Sequence, residues 1–199
     1  MNRIDTILEY WFGDEGDDAV VAQRQGKLWW SKSEAADSDI RARFEPEVIA
    51  AGAGKLDHWR SSARGWLALI ILCDQFPRNI YRGTPRAFAF DPAARTLCLD
   101  GIERGLDLQL RPIQRVFCYL PLEHSENLEH QDRAVDLLQQ LAAGVPEQQR
   151  DTFGNFADFA LRHRVVIARF GRFPHRNGVL GRASSAEETE FLQQPGSSF

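Results

Sequence analysis

Two arginine-rich segments of the chain carry side chains suited to binding an anion. Segment 74–83 reads Asp-Gln-Phe-Pro-Arg-Asn-Ile-Tyr-Arg-Gly, and segment 172–182 reads Arg-Phe-Pro-His-Arg-Asn-Gly-Val-Leu-Gly-Arg. A guanidinium group can bind a carboxylate or phosphate through two parallel hydrogen bonds, which an ammonium group cannot do. The side chains in and beside these segments that we predict to bind a ligand are Asp74, Gln75, Arg78, Asn79, Arg82, Arg169, Arg172, His175, Arg176, Asn177 and Arg182.

Acidic and basic residues are segregated along the chain. Residues 159–186 contain six Arg, two His and no acid, whereas residues 123–158 contain eight acids and two Arg. Two guanidinium groups about 6 Å apart repel by roughly 2–3 kcal/mol at an effective dielectric constant of about 20. If the two arginine-rich segments fold side by side, anions must lie between them. These are either internal carboxylates such as Asp74, Glu123 and Glu126, or a bound ligand; a solvated basic face is the third interpretation.

The segment after Pro121 contains residues that could transfer a proton. It reads Leu-Glu-His-Ser-Glu-Asn-Leu-Glu-His-Gln over positions 122–131. We expect a helix to begin after Pro121, and carboxylates are stabilised at a helix N-terminus. His124, flanked by Glu123 and Glu126, is the predicted acid or base if the protein is an enzyme. The same three residues could instead only neutralise the arginines, and the sequence leaves open whether there is catalysis.

Other familiar motifs are absent from the sequence. There is no G-x-x-x-x-G-K-[ST], G-x-G-x-x-G, G-x-S-x-G or H-E-x-x-H motif, so P-loop, Rossmann and serine-hydrolase chemistry lack support. Glu126 and His130 are spaced to share a metal, but no second pair of ligands follows, and we predict no metal and no cofactor. His58 and His163 are interpreted as ordinary packed or surface histidines.

Composition limits the class of partner. The chain has 24 basic and 28 acidic residues, a net charge of −4, which argues against general nucleic-acid binding. The longest apolar run, 66–73, is far too short to span a membrane, and the N-terminus lacks a signal-peptide core. Three Cys without a C-x-x-C pair indicate buried thiols rather than disulfides. These features favour a cytoplasmic protein with no membrane partner.

Helical periodicity dominates the sequence, which predicts an all-α fold with eight or nine helices and no sheet. The chain shows no linker, so we expect one domain over residues 1–199. Pro77 and Pro121 are expected to end helices. The predicted helices cover 3–12, 20–30, 33–51, 62–76, 91–105, 112–120, 123–142, 146–170 and a last helix from Ser184 or Ser185 to just before Pro195.

Helix 62–76 is apolar nearly all round and is predicted to lie at the centre, packed against 146–170. Each of these two helices leads directly into an arginine-rich segment. If they are roughly parallel, both segments lie at the same end of the fold. We therefore predict one contiguous polar cluster, partly open to solvent. Its predicted members are Asp74, Arg78, Glu123, His124, Glu126, Arg172, His175 and Arg176.

These motifs resemble an uncharacterised, mainly bacterial family known as domain of unknown function 924. The resemblance extends over nearly the full chain, and the run Phe-Gly-Arg-Phe-Pro-His-Arg-Asn at 170–177 is its most specific part. It is carried by 11–12, 29–30, 67–83, 87–89, 120–126, Gln131, His163, 169–177 and 180–182. The resemblance implies a tetratricopeptide-like fold of antiparallel helix pairs and implies no activity.

Three functions fit the sequence. The leading hypothesis is a polar pocket for a small anionic molecule, formed by the two arginine-rich segments and the Glu-His-Ser-Glu segment. The alternative is a helical-repeat scaffold that binds a protein or peptide in a groove. A purely structural charged core is the third, which would show one-to-one pairing of arginines with carboxylates.

Overall fold

The protein is all-α. A computed structural model describes residues 2–197, and this part of the chain contains no β-strand. The α-helices are α1 (Arg3–Phe12), α2 (Asp18–Trp30), α3 (Glu34–Gly52), α4 (Ala63–Ile70), α5 (Phe76–Ile80), α6 (Asp91–Glu103), α7 (Pro112–Glu123), α8 (Leu128–Gly144), α9 (Arg150–Phe170) and α10 (Ala186–Phe191). The predicted fold class is confirmed. None of the described helices is both long and apolar enough to cross a membrane.

The start of α4 is set by Ser62, whose hydroxyl accepts a hydrogen bond from the Gly65 amide. The helix is central, as predicted, and packs on α1, α6 and α7. Its Trp66 ring is fully buried and donates from Nε1 to the Leu97 carbonyl at 2.7 Å. The ring lies so close to α6 that a Cβ at Gly101 would collide with it. The helix α9, by contrast, packs mainly along α8 and also on α7, so α7 lies between the two helices that we expected to pack directly.

Pro77 does not end the central helix, contrary to the prediction. The chain widens into a π-helical segment, Ile71–Gln75, and continues as α5 to Ile80. Phe76 donates its amide hydrogen to the Ile71 carbonyl, five residues back. A proline ring clashes with the carbonyl four residues before it in a regular α-helix. We attribute the continuation of the helix through Pro77 to this wider turn.

Pro121 does not end α7 either. The helix continues through it to Glu123, and His124 closes the helix by donating its amide to the Leu120 carbonyl at 2.8 Å. The next helix, α8, begins only at Leu128, where the Asn127 side chain accepts from the His130 amide. The prediction that Glu123 and Glu126 lie at a helix N-terminus is therefore wrong.

The three cysteines are buried and free. Burial raises the pKa of the Cys73 thiol to about 12 and also raises the pKa of Cys98 and Cys118. A thiol with a raised pKa is protonated and weakly reactive at neutral pH. The prediction of buried thiols without disulfides agrees with the structure.

Candidate functional site

The two arginine-rich segments meet at Asp91, the first residue of α6. Its carboxylate accepts from both terminal nitrogens of Arg78, at 2.9 and 3.2 Å, and one oxygen lies 3.6 Å from Arg176 Nη1. Asp91 does not cap its own helix, because Phe90 occupies the cap position and no side chain caps the helix there. Residues 75–90 contain three Arg and no acid, and this imbalance is the signal that could have identified Asp91 as their counter-charge.

Asp74 and His124 form a hydrogen-bonded pair beside this junction. The π-helical segment places Asp74 in the core, where Oδ1 lies 2.8 Å from His124 Nδ1 and 3.5 Å from Arg78 Nη2. Gln75 donates to the other carboxylate oxygen at 2.5 Å. Burial alone would raise the pKa of Asp74, but His124 and Arg78 outweigh it and lower this pKa to about 2.

Burial and the nearby Arg78 charge lower the pKa of His124 below its usual value. The imidazole is therefore mainly neutral at pH 7. Because the ionised Asp74 carboxylate can only accept a hydrogen bond, Nδ1 of His124 carries the hydrogen and donates a hydrogen bond to Asp74. Nε2 is then the basic nitrogen, and the Asp74 carboxylate orients the ring, as in catalytic Asp–His pairs.

Arg176 is the least neutralised cation of this cluster. It is buried, and its guanidinium carbon lies 4.9 Å from the centre of the Phe88 ring and 4.4 Å from that of Phe173. Nη1 donates to the His124 carbonyl at 3.0 Å, whereas Nε is buried with no hydrogen-bond partner within residues 2–197. Burial and the charge of Arg78 lower the pKa of Arg176 to about 10.

Glu123 lies in the core against His163, with Oε1 3.0 Å from Nδ1. Nδ1 also donates to the Phe159 carbonyl at 2.9 Å, and because Glu123 is protonated and His163 is neutral, their contact is not a salt bridge. Burial, with a smaller contribution from the Asp74 charge, raises the pKa of Glu123 to about 8, and burial lowers the pKa of His163 to about 3. His163 therefore belongs to the buried polar cluster, a role that the sequence did not indicate. The carboxylate partner of His124 is Asp74, not the predicted Glu123 or Glu126.

Glu126, in the loop after α7, binds the second arginine-rich segment. It accepts from Arg182 at 2.6 and 2.9 Å and from the Phe173 amide at 2.8 Å. Although partial burial raises the pKa of Glu126, the hydrogen bonds from Arg182 and Phe173 lower it overall. His175 follows Phe173 with the two rings 5.6 Å apart, and burial lowers the pKa of His175 to about 4.

The remaining predicted ligand-binding residues form ion pairs and hydrogen bonds away from His124. Arg82 and Asn79 both donate to Asp37 of α3. The α10 carboxylates pair with the second segment: Arg169 binds Glu187, while Arg172 and Asn177 bind Glu188. These three acids lie outside the segments singled out from the sequence. They show that much of the arginine charge is neutralised internally.

The polar cluster around Asp74, Asp91 and His124 is only slightly exposed to solvent. The side chains of Arg78 and His124 are 20% and 15% exposed. A surface cavity of about 560 Å³ lies instead between α3 and α5, lined in part by Asp37, Asn79 and Arg82. Within residues 2–197, no group of three or more His, Cys, Asp or Glu is arranged to hold a metal ion.

Gln131 positions the loop that carries His124. It is fully buried, and Nε2 lies 2.5, 2.7 and 3.4 Å from the carbonyl oxygens of Glu123, Ser125 and Leu122. We expect Gln131→Leu to lower the free energy of unfolding by about 2 kcal/mol, because buried carbonyls lose their donor. Urea denaturation measures this cost. Gln139→Leu, at an exposed position of the same helix, is the control and should change stability by less than about 0.5 kcal/mol. Equal costs for the two variants would contradict this role.

A family model described as "Bacterial protein of unknown function (DUF924)" matches residues 7–196. The chain belongs to this family, as its motifs indicated. It is also similar to the solved structure of a protein of unknown function from Agrobacterium tumefaciens, with 38% sequence identity and a TM-score of 0.76. That alignment covers 90% of this chain and 100% of the other. A search of curated proteins found no match.

Proposed function

We propose that this protein binds a small anionic ligand through Arg78, Arg176 and His124. The observation that carries the proposal is the buried Arg176 guanidinium, whose Nε has no hydrogen-bond partner within residues 2–197. Buried polar groups are nearly always hydrogen-bonded, and a buried charge is expensive unless it is paired. A ligand that supplies acceptor oxygens to Arg176 accounts for this donor.

The charge balance at Asp91 supports the same proposal. Both Asp91 oxygens already accept from Arg78, and Arg176 lies beyond hydrogen-bond distance from this carboxylate, at 3.6 Å. A carboxylate or phosphate group has two or more acceptor oxygens and can bind Arg176 through two hydrogen bonds. The Phe88 and Phe173 rings lie over the guanidinium, with their centres 4.9 and 4.4 Å from its carbon, and supply no acceptor oxygen to it.

Within this proposal, His124 is the residue suited to proton transfer to or from the bound anion, and Asp74 positions it. Glu123 lies against His163, and Glu126 is engaged with Arg182, so neither is the orienting carboxylate. The predicted alternative, a scaffold with an aromatic groove, receives less support because Trp11, Phe12 and Trp29 pack in the core instead.

The proposal is tested by thermal unfolding in the presence of inorganic phosphate, sulfate, acetate or succinate. A ligand at about 100 times its Kd stabilises the folded state by about 2.7 kcal/mol. We expect at least one of these anions to raise the Tm of the wild type, and Arg176→Met to abolish that increase. Arg104→Met removes an exposed arginine paired with Asp100 and is the control that should keep it. An unchanged wild-type Tm with every anion, or an undiminished increase in Arg176→Met, would overturn the proposal.

A further inference from the structure

The outward face of α9 carries an exposed charged stripe, which α10 contacts at its C-terminal end through Arg169. Asp151, Asp158, Arg162 and Arg169 are all exposed. At 100° per residue, their positions fall within about 40° of one another around the helix. The two acids occupy the N-terminal half of the stripe and the two arginines occupy the C-terminal half. The stripe is therefore acidic at one end and basic at the other.

The stripe is symmetric about Ala160. Asp158 and Arg162 lie two residues to either side of Ala160, and Asp151 and Arg169 lie nine residues to either side. The outer pair is therefore separated by about 27 Å along the helix axis, at a rise of about 1.5 Å per residue. If a second α9 lies antiparallel on this face, Asp158 of each copy faces Arg162 of the other. The same rotation brings Asp151 opposite Arg169.

Apolar side chains flank the stripe. Phe159, Leu161 and Val165 are 48%, 43% and 55% exposed, an unusual run of large apolar groups on one solvent-facing helix. Phe159 and Leu161 lie on opposite sides of the stripe, so in an antiparallel pairing Phe159 lies beside Phe159 of the second copy and Leu161 lies beside Leu161 of the second copy. Exposed apolar groups beside polar ones are typical of interaction surfaces.

The charges on this face remain available to a partner. Asp151 and Asp158 make no ion pair within residues 2–197, and Arg162 lies over the Phe159 ring, 5.0 Å from its centre. Arg169 pairs with Glu187, but that pair is on the surface, where an ion pair contributes little. A partner's Asp151 can therefore join or replace Glu187.

We infer that the outward face of α9 is a homodimer interface in which two copies of this chain pack α9 against α9. The two-fold axis crosses the stripe midway between Asp158 and Arg162, level with the buried Ala160 but on the opposite side of the helix. A two-fold interface requires a surface that is complementary to itself, so that each contact occurs twice. The acid-to-base order of the stripe satisfies this requirement. An unrelated partner would need no such symmetry.

Charge reversal tests the interface. Asp158→Arg places arginine opposite arginine twice in the dimer, so we expect it to weaken dimerisation by about tenfold or more. The double variant Asp158→Arg with Arg162→Asp restores opposite charges across the axis and should recover wild-type dimerisation. Asp14→Arg makes the same charge change at an exposed site away from α9 and is the control.

Sedimentation equilibrium over a wide concentration range gives the dissociation constant, and circular dichroism verifies that each variant is folded. A wild type that stays monomeric at the highest concentration would overturn the inference. So would an Asp158→Arg variant with the same dissociation constant as Asp14→Arg. Weakened association that the double variant fails to rescue would also reject the antiparallel pairing and indicate a different use of this face.

Discussion

Replacing Asp91 by asparagine should lower the free energy of unfolding by about 3–5 kcal/mol. This carboxylate is the shared partner of Arg78 and Arg176, and its loss leaves the two neighbouring guanidinium groups with Asp74 and the more weakly interacting Glu126 as counter-charges. Removing one partner of a buried ion pair costs this much because the remaining charge is left uncompensated. For a domain of this size, we expect the Tm to fall by about 10 °C. Urea and thermal denaturation measure both quantities.

The background variant Arg176→Met separates this effect from other roles of Asp91. A carboxylate in the first turn of a helix stabilises it by only about 0.3–1 kcal/mol. If the repulsion between Arg78 and Arg176 dominates, Asp91→Asn should cost markedly less once Arg176 is methionine. A cost below about 1 kcal/mol in the wild type, unchanged in the Arg176→Met background, would mean that Asp91 acts only through the helix dipole.

Glu123→Gln should abolish the loss of wild-type stability between pH 6.5 and pH 8. The folded-state pKa of Glu123 is about 8, above the ordinary value of 4.5. The folded protein therefore holds a proton that the unfolded chain releases above about pH 4.5, so Glu123 opposes folding increasingly as pH rises towards 8. One pKa unit corresponds to about 1.4 kcal/mol, so the full effect at pH 8 and above is about 3–5 kcal/mol.

Below about pH 6.5, the buried histidines make the free energy of unfolding rise with pH, opposite to the effect of Glu123. His163 and His175 have folded-state pKa values of about 3 and 4, so the stability that they contribute is present above about pH 6.5 and is lost as pH falls. Wild-type stability should therefore be greatest near pH 6.5 and fall by about 2 kcal/mol at pH 8, whereas Glu123→Gln should show no such fall. Urea unfolding of both proteins at pH 6.5 and pH 8 measures this change in the free energy of unfolding. Parallel pH profiles for the two proteins would show that Glu123 is already ionised in the folded state.

Much of the fold could be predicted from local sequence signals. The boundaries of α1 and α3 agree with apolar spacing and with Ser33 as the cap, and α9 ends at Gly171 as expected. The Ser185–Glu188 capping box is present at the start of α10. In each case the signal and its structural effect lie within a few residues, so the sequence contains the whole interaction.

The continuation of helix through Pro77 and Pro121 could not be predicted in this way. Pro77 and Pro121 are strong local helix breakers, but helix continues past both of them. At Pro77, the wider π-helical turn accommodates the ring. At Pro121, only two more residues follow before the helix ends. Whether a chain continues through a proline depends on the packing of that helix in the core, which residue types alone do not reveal.

The candidate site was predicted in outline but not in its pairings. The sequence indicated that Arg78, His124 and Arg176 would meet, and the structure brings them together. The carboxylate partners of the arginines were not predicted correctly, because Asp91 and Glu188 reach the arginines from separate helices. Charge imbalance within a segment shows that counter-charges are needed, whereas the tertiary fold determines which acids supply them.

The π-helical turn at Ile71–Gln75 has a consequence for how this chain can vary in length. Such a turn accommodates one more residue than an α-helical turn, so the helix beyond it is offset by one position relative to α4. Losing one residue from this turn would leave a regular α-helical turn with the downstream residues still in phase, but without the wider turn that accommodates Pro77. Losing one residue from α4 itself would instead rotate α5 relative to α4 by about 100° and turn Arg78 away from Asp91. The central helix therefore accommodates a change of length better at Ile71–Gln75 than within α4.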